Sequence, residues 1–394
     1  MKPTIYLDNS ATTRICEEAL ETYIEVSREH FGNPSSLHAI GFDAEKVLRD
    51  ARTEILAALG AKGGTLVFTA SGSEANNLAI FGRAYAKDRY KGKKILTTAG
   101  EHSSVSAVAE ALEKEGFKIE TIPTKGGVLD FAALDKMLTP DVILVSAMMV
   151  NNETGALYDL AALSAKMHAS CPEAVLHIDA TQSFMKLPFT PEGLSADMVT
   201  LSSHKIEGPK GVGALYISKA IMQTKGLMPQ ILGGGQESGY RSGTENVPGI
   251  AAFAKACSVA KNHLQYRTKH ILGLRNYLLE KLANDERLRE IEPLCPPQYA
   301  PHILSLRIAD IKSETMLHFL SSEGICVSSG SACSSNASAR HASPALLAYG
   351  QSEAAADSSI RISLSHRNEK LDIDALCEAL ALGLSRLARI RRQR

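Results

Sequence analysis

The sequence predicts an α/β protein with a large domain built on a mostly parallel seven-stranded sheet and a smaller α+β domain. Three observations carry this. From Thr65 to Tyr216 strand-like and helix-like segments alternate, the pattern of parallel strands joined by helices over both sheet faces. Runs such as Ala174 to Ile178 and Met198 to Leu201 are continuously apolar and end in polar clusters, as buried parallel strands do. The 394 residues, 44% hydrophobic and 22% charged, are enough for two or three domains with a sizeable core. The large domain is expected over residues 15–262, and the smaller one over 1–14 and 263–394.

Taken in order, Ile5 to Thr13 is extended and ends in small polar residues, and Arg14 to Arg28 is helical in pattern. Phe31 to His38 is a turn-rich loop, because Gly32 and Asn33-Pro34 break a helix. A helix from Ala39 to Leu59 ends at Gly60, a natural C-terminal cap. The sheet strands are expected at Leu66–Thr69, Ile95–Thr98, Lys118–Ile122, Val142–Ala147, Ala174–Asp179, Met198–Ser202 and Val212–Ile217. The last follows its predecessor so closely that antiparallel pairing is expected. Helices are expected at Glu74–Tyr90, Ser103–Glu115, Phe131–Leu138 and Leu160–Ala169. Gly233 to Thr244 is a glycine-rich loop, read either as a connector or as backbone that approaches a ligand or second subunit. A long helix, Pro248 to Ala283, leads into the second domain. There the pattern gives strand His302–Ile308, helix Ser313–Ser322, short strand Ile325–Ser328, strand Ser359–Ser363 and helix Asp372–Arg389.

Lys plus Arg equals Asp plus Glu at 43 each, so no overall field draws nucleic acid or an anionic membrane. The first residues carry no apolar signal region, and no apolar run reaches membrane-span length. A cytoplasmic protein with no direct nucleic-acid or membrane partner is expected. The seven cysteines are scattered and form no Cys-x-x-Cys pair, which argues for reduced thiols and against a disulfide framework or metal site. Cys326, between Ile325 and Val327, reads as a buried core thiol.

The chemistry gathers at the predicted strand ends, where open α/β sheets bind ligands. Asp179 ends one apolar run, and Ser202-Ser203-His204-Lys205 ends another. A carboxylate and a lysine so placed suit pyridoxal 5'-phosphate: the lysine forms a Schiff base and the carboxylate keeps the pyridine nitrogen protonated. Ser71-Gly72-Ser73 opens a helix and suits the phosphate, although Ser73 would also serve as a plain cap. Ser202 and His204 could complete that cradle. His102, after another strand, is placed to stack on a cofactor ring and move protons, or simply to cap a helix. Asn152 can bond a phenolic oxygen or the substrate. Arg361 suits a substrate carboxylate or a salt bridge. Cys333, within Val327 to Ser338, sits among small polar residues as a reactive thiolate would, not as a packed core cysteine.

Together, the segment Tyr6 to Thr13, the glycine-rich loop, Ser328-Ser329-Gly330-Ser331-Ala332-Cys333 and Ser359-Ile360-Arg361 resemble the cysteine desulfurases. These belong to the class-V aminotransferase group of pyridoxal-phosphate enzymes, and the cysteine motif is similar to their long-loop branch, which serves sulfur-acceptor proteins. The resemblance implies a fold-type-I enzyme that converts L-cysteine to L-alanine and leaves the sulfur on Cys333 as a persulfide. It implies attachment of the cofactor to Lys205, Asp179 at the pyridine nitrogen, and His102 over the ring. Gln182 and Asn152 would bond the phenolic oxygen, and Gly72, Ser73, Ser202 and His204 the phosphate. Thr244 would reach in from the second subunit of a homodimer, and Arg361 and Asn152 would hold the substrate. The acceptor would be an iron–sulfur scaffold or a tRNA-thiolation enzyme. A selenocysteine lyase or another class-V aminotransferase-like enzyme is the alternative. Two positions depart from the family pattern: Ser238 stands where a basic residue is common, and Arg14 where a proline is.

Overall fold

Apolar strands alternating with helices make seven strands pair side by side in one sheet. The computed structural model describes residues 4–86, 92–329 and 342–392. In chain order the strands are β1 (Thr65–Thr69), β2 (Lys94–Thr98), β3 (Lys118–Ile122), β4 (Val142–Met148), β5 (Val175–Asp179), β6 (Met198–Ser202) and β7 (Gly213–Ile217). Their order across the sheet is β1-β7-β6-β5-β4-β2-β3. β7 runs antiparallel to both β1 and β6, and the other neighbours are parallel. Between Ser202 and Gly213 the chain is too short for the crossover that a parallel pair needs, so it turns back. β2, β4, β5, β6 and β7 are buried at every position, which is why they read as apolar runs rather than alternating ones.

The helix Val247–Asn284 joins this sheet to a second core. Its first half buries Ile250, Phe253 and Cys257 in the cluster that covers one sheet face, where Phe253 meets Phe184 edge-on at 6.4 Å. Its second half gives Leu274, Leu278 and Leu282 to a separate cluster with Leu7, Leu304, Ile360 and Leu380. That cluster packs on an antiparallel sheet of Ile291–Leu294, Ile303–Ile308, Ser359–Ser363 and Ser328–Ser329, in that spatial order. Ile291–Leu294 escaped the sequence reading because Pro293 argues against a strand. It lies at the sheet edge, where a proline removes no interior ladder bond.

The expected strand Ile325–Ser328 is instead two. Ile325–Cys326 pairs in parallel with Ile5–Tyr6, and Ser328–Ser329 pairs with Ser359–Ser363. Alternation sends Ile325 and Val327 into the core and leaves Cys326 half-buried, so Cys326 is not the core thiol expected of it. The helix expected at Glu74–Tyr90 spans Gly72–Ala84 and starts early because Ser71 caps it, accepting from the Glu74 N–H at 3.1 Å. Gly60 ends the helix Ala39–Leu59 in the left-handed conformation at φ 72°, as expected. Among the described residues no helix is long and apolar enough to cross a membrane.

Candidate active site

The carboxyl ends of the parallel strands open onto one cavity of about 350 Å³. Following β2, β4, β5 and β6 respectively, the chain sends His102, Asn152, Asp179 and Lys205 to its wall. The turn Ser71–Ser73 closes one side and Arg361, from the second sheet, closes another. Residues far apart in sequence meet here because adjacent parallel strands all end on the same edge.

Asp179 is held by two donors. The Thr181 N–H reaches Oδ1 at 2.9 Å, and the Asn76 amide reaches Oδ2 at 2.8 Å. The same Asn76 amide donates to Ser104 Oγ at 2.8 Å, and Ser104 Oγ lies 2.8 Å from His102 Nδ1. Since the hydroxyl already accepts from Asn76, its proton points to Nδ1, which also accepts the Ser104 N–H at 3.2 Å. Burial holds the His102 pKa below the ordinary imidazole value, against the pull of Asp179 and with a further push from Lys205. The ring is therefore neutral at pH 7 with its proton on Nε2. A string of hydrogen bonds thus joins the imidazole to the carboxylate.

The N-terminal segment wraps the lysine. Lys205 Nζ donates to the carbonyls of Ser10 at 2.5 Å and Ala11 at 2.8 Å, and Gln182 Nε2 donates to the Ser10 carbonyl at 3.0 Å. Thr12 Oγ1 lies 3.1 Å from His204 Nδ1, and Thr13 bonds the His204 carbonyl through both its N–H and its hydroxyl. Burial, then the nearby lysines, push the His204 pKa down to about 4, so this ring too is neutral.

Arg361 makes the salt bridge that was one of its two readings. Its guanidinium donates to Asp8 Oδ1 at 2.9 Å and to the Asn152 carbonyl at 2.9 Å, while its buried Nε has no acceptor among the described residues. It also faces the cavity, so the ion pair fixes the guanidinium without enclosing it. Beside it, burial raises the Glu153 carboxyl to about 7, and Ser343 donates to it at 2.5 Å.

The aminotransferase class-V family model matches residues 5–376. Cysteine desulfurase IscS 1 of Archaeoglobus fulgidus is 36% identical over 97% of each chain. Among solved structures, a NifS-like protein superposes with a TM-score of 0.89 at 33% identity, covering 97% of this chain and 99% of that one. SspA, solved in complex with cysteine, superposes at 0.79 with 31% identity over 92% and 99%. The chain belongs to the class-V aminotransferases, among the cysteine desulfurases.

For this class-V aminotransferase the sequence named most of the cavity wall. Gly72, Ser73, His102, Asn152, Asp179, Gln182, Ser202, His204, Lys205 and Arg361 all line it. Thr244 does not: it is exposed on the glycine-rich loop, away from this chain's own cavity. Cys333 lies outside the described residues. Asp8, Ser10, Asn76, Ser104 and Glu153 were given no role, although Asp8 and Ser10 lie in the segment Tyr6 to Thr13 and the other three lie within three residues of Ser73, His102 and Asn152 respectively. Apart from the contact of Ser104 with His102, little local marks such residues, because the site partners that hold them lie between 28 and 353 positions away. The glycine-rich loop is also more firmly held than a connector. Glu237 is buried, receives Arg52 at 2.8 and 2.9 Å and the Phe68 N–H at 2.9 Å, while Arg241 pairs with Glu74 at 2.8 Å. Ser238, one of the two departures, follows Glu237 with φ 56° and forms part of that anchored turn.

Proposed function

We propose that the chain is a pyridoxal-phosphate-dependent cysteine desulfurase whose cofactor is attached to Lys205 in the cavity at the strand ends. The observation that carries this reading is the joint presence of Asp179 and Lys205 on one cavity with a helix N-terminus. The residues fit the group. The helix Gly72–Ala84 offers backbone N–H groups and its positive end to a phosphate, beside the hydroxyls of Ser73 and Ser202. A Cβ on Gly72 would come within 3.3 Å of Ser202 Cβ and Thr181 Oγ1, narrowing that cradle. Asn76 Oδ1 and Arg361 Nε are buried polar atoms still without partners among the described residues.

When bound, the cofactor supplies an electron sink for the charge left as the substrate's α-proton departs. The chain's own residues do the rest. Arg361 grips the substrate carboxylate, and Lys205 and His102 move protons at the reacting carbons. The Cys333 thiolate attacks the substrate sulfur, a new S–S bond forms and the substrate C–S bond breaks. Proton uptake then yields L-alanine and an enzyme persulfide, with no outside oxidant or reductant. The chain leaves the cavity wall at Ser329, four residues before Cys333, and Ser343, ten residues after it, bonds Glu153. The persulfide passes to an acceptor protein of iron–sulfur assembly or tRNA thiolation.

In this reading residues 15–262 form the cofactor domain, and 1–14 with 263–394 the domain that carries Cys333. A homodimer is supported by the exposed apolar run Phe31, Leu37, Ile40 and Phe42, and by Thr244, which is exposed and outside the lining of this chain's own cavity. Purified protein given pyridoxal phosphate should acquire a visible absorption band, and borohydride should abolish that band while fixing the cofactor covalently at Lys205. The Lys205→Ala protein forms no such bond, and a covalent label on any other lysine would refute the assignment.

A further inference from the structure

Lys186 is a second amine beside the first. Two successive turns after β5, closed by the Phe184 N–H on the Ala180 carbonyl and the Leu187 N–H on the Ser183 carbonyl, with Met185 between them at φ 55°, bring the Lys186 side chain back to Gln182. Lys186 Nζ donates to Gln182 Oε1 at 3.2 Å. Gln182 Nε2 donates one hydrogen to the Ser10 carbonyl, the acceptor that Lys205 also uses. Behind them Lys186 and Lys205 line a small cavity of about 60 Å³ with Glu207, Arg267 and His302.

An amine is an expensive group to place there. Burial, then the charges of Lys205 and Arg361, push Lys186 down to about 7, and only Glu207 pulls the other way. His302 is fully buried and lowered as well, with Lys186 among the causes, so it supplies no counter-charge. A methionine would fill the space without desolvating a charge, so the amine calls for a use that packing does not provide.

We propose that Lys186 is a positioning residue for the cofactor-bearing lysine: through Gln182 Oε1 it holds the Gln182 amide so that the second Nε2 hydrogen is presented to the cofactor's phenolic oxygen. This rests on the functional reading above. A reversed amide would set Oε1 against the Ser10 carbonyl and the NH₂ group against the Lys186 amine, so both neighbours enforce the same orientation. A donor at the phenolic oxygen favours its anionic form and so eases proton loss from the bond between Lys205 and the cofactor. The Lys186 charge, when present, acts in the same direction.

The test is a pH titration of the visible absorption of the cofactor-loaded protein, which reads proton affinity independently of turnover. Lys186→Met should raise the midpoint by about 0.5 to 1 unit, and Gln182→Leu should raise it as well. Because Lys186 acts chiefly through Gln182, the double variant should move little beyond Gln182→Leu alone. A Lys186→Met midpoint equal to wild type, or shifts that add fully in the double variant, would overturn the proposal. Should Lys186→Met not fold, Lys186→Arg decides: its permanent charge and donors keep the midpoint at or below wild type, and a rise counts against the role. A wild-type protein that gains no visible band fails the functional reading itself, whereas an unmoved midpoint in a banded protein fails only this inference.

Discussion

Glu101 stands next to His102 and is buried. Its Oε1 accepts the Met148 N–H at 2.7 Å and the Thr98 hydroxyl, and its Oε2 has no partner among the described residues. Burial pushes its carboxyl up to about 8, with Asp179 adding to the effect. The unfolded chain gives up this proton near 4.5 and the folded chain keeps it to about 8. The stability contributed by the neutral acid is therefore complete below 4.5 and drains away as pH rises to 8. Glu101→Gln keeps a neutral side chain at every pH. Denaturant melts at pH 5 and pH 8 should show that the variant gains stability relative to wild type over that interval, on the order of 3 kcal/mol. A constant difference between the two proteins would mean that Glu101 is ionised in the fold. Sequence alone exposes such a residue poorly. Asp179 and Lys205 were legible because each follows an apolar run, and the chemistry of a lysine and a carboxylate at strand ends is specific. Glu101 also follows a strand, but its partner is the backbone of β4, which only the fold brings near.

At the scale of elements, β7 decides how the turn at Ser71 is held. Its antiparallel return was expected from the short connection, and the register Gly213↔Thr69 brings its first residue against the turn that opens the helix Gly72–Ala84. A Cβ at Gly213 would lie 2.5 Å from the Ser71 carbonyl carbon and 2.8 Å from the Gly72 nitrogen. These are backbone atoms that cannot swing aside. Gly213→Ala should therefore displace the turn and cost at least one charge-assisted hydrogen bond to the phosphate. The pyridoxal-phosphate dissociation constant should rise about tenfold or more, measured by titrating the apo-protein through its visible band. An unchanged constant would place the phosphate elsewhere. The strands of the large sheet were readable to within one residue because five of the seven are buried along their whole length. Two features of the second sheet were not: Pro293 disguises an edge strand, and the segment from Ile325 divides its pairing between two partners.

Across the whole molecule, the N-terminal segment and the second sheet complete a site that the large sheet begins. Leu7 lies in the second core, Asp8 holds Arg361, and Ser10 and Ala11 receive Lys205. A charge cluster around a buried carboxylate adds a further tie: Glu207, two residues after Lys205, pairs with Arg267 and Arg367, each at 3.1 Å. Such long-range closure leaves no local pattern, so the sequence could point to the strand ends but not to what covers them. The central claim is that this one cavity converts L-cysteine to L-alanine while Cys333 carries the sulfur. The most direct measurement incubates cofactor-loaded wild-type, Lys205→Ala and Cys333→Ser proteins with L-cysteine and excess dithiothreitol, and quantifies alanine and sulfide together. Wild type should form the two in equal amounts, Lys205→Ala neither, and Cys333→Ser less than about one-tenth of the wild-type alanine, because a hydroxyl supplies almost no nucleophilic anion at neutral pH. Alanine from Cys333→Ser at the wild-type rate, or sulfide from wild type without alanine, would contradict the account.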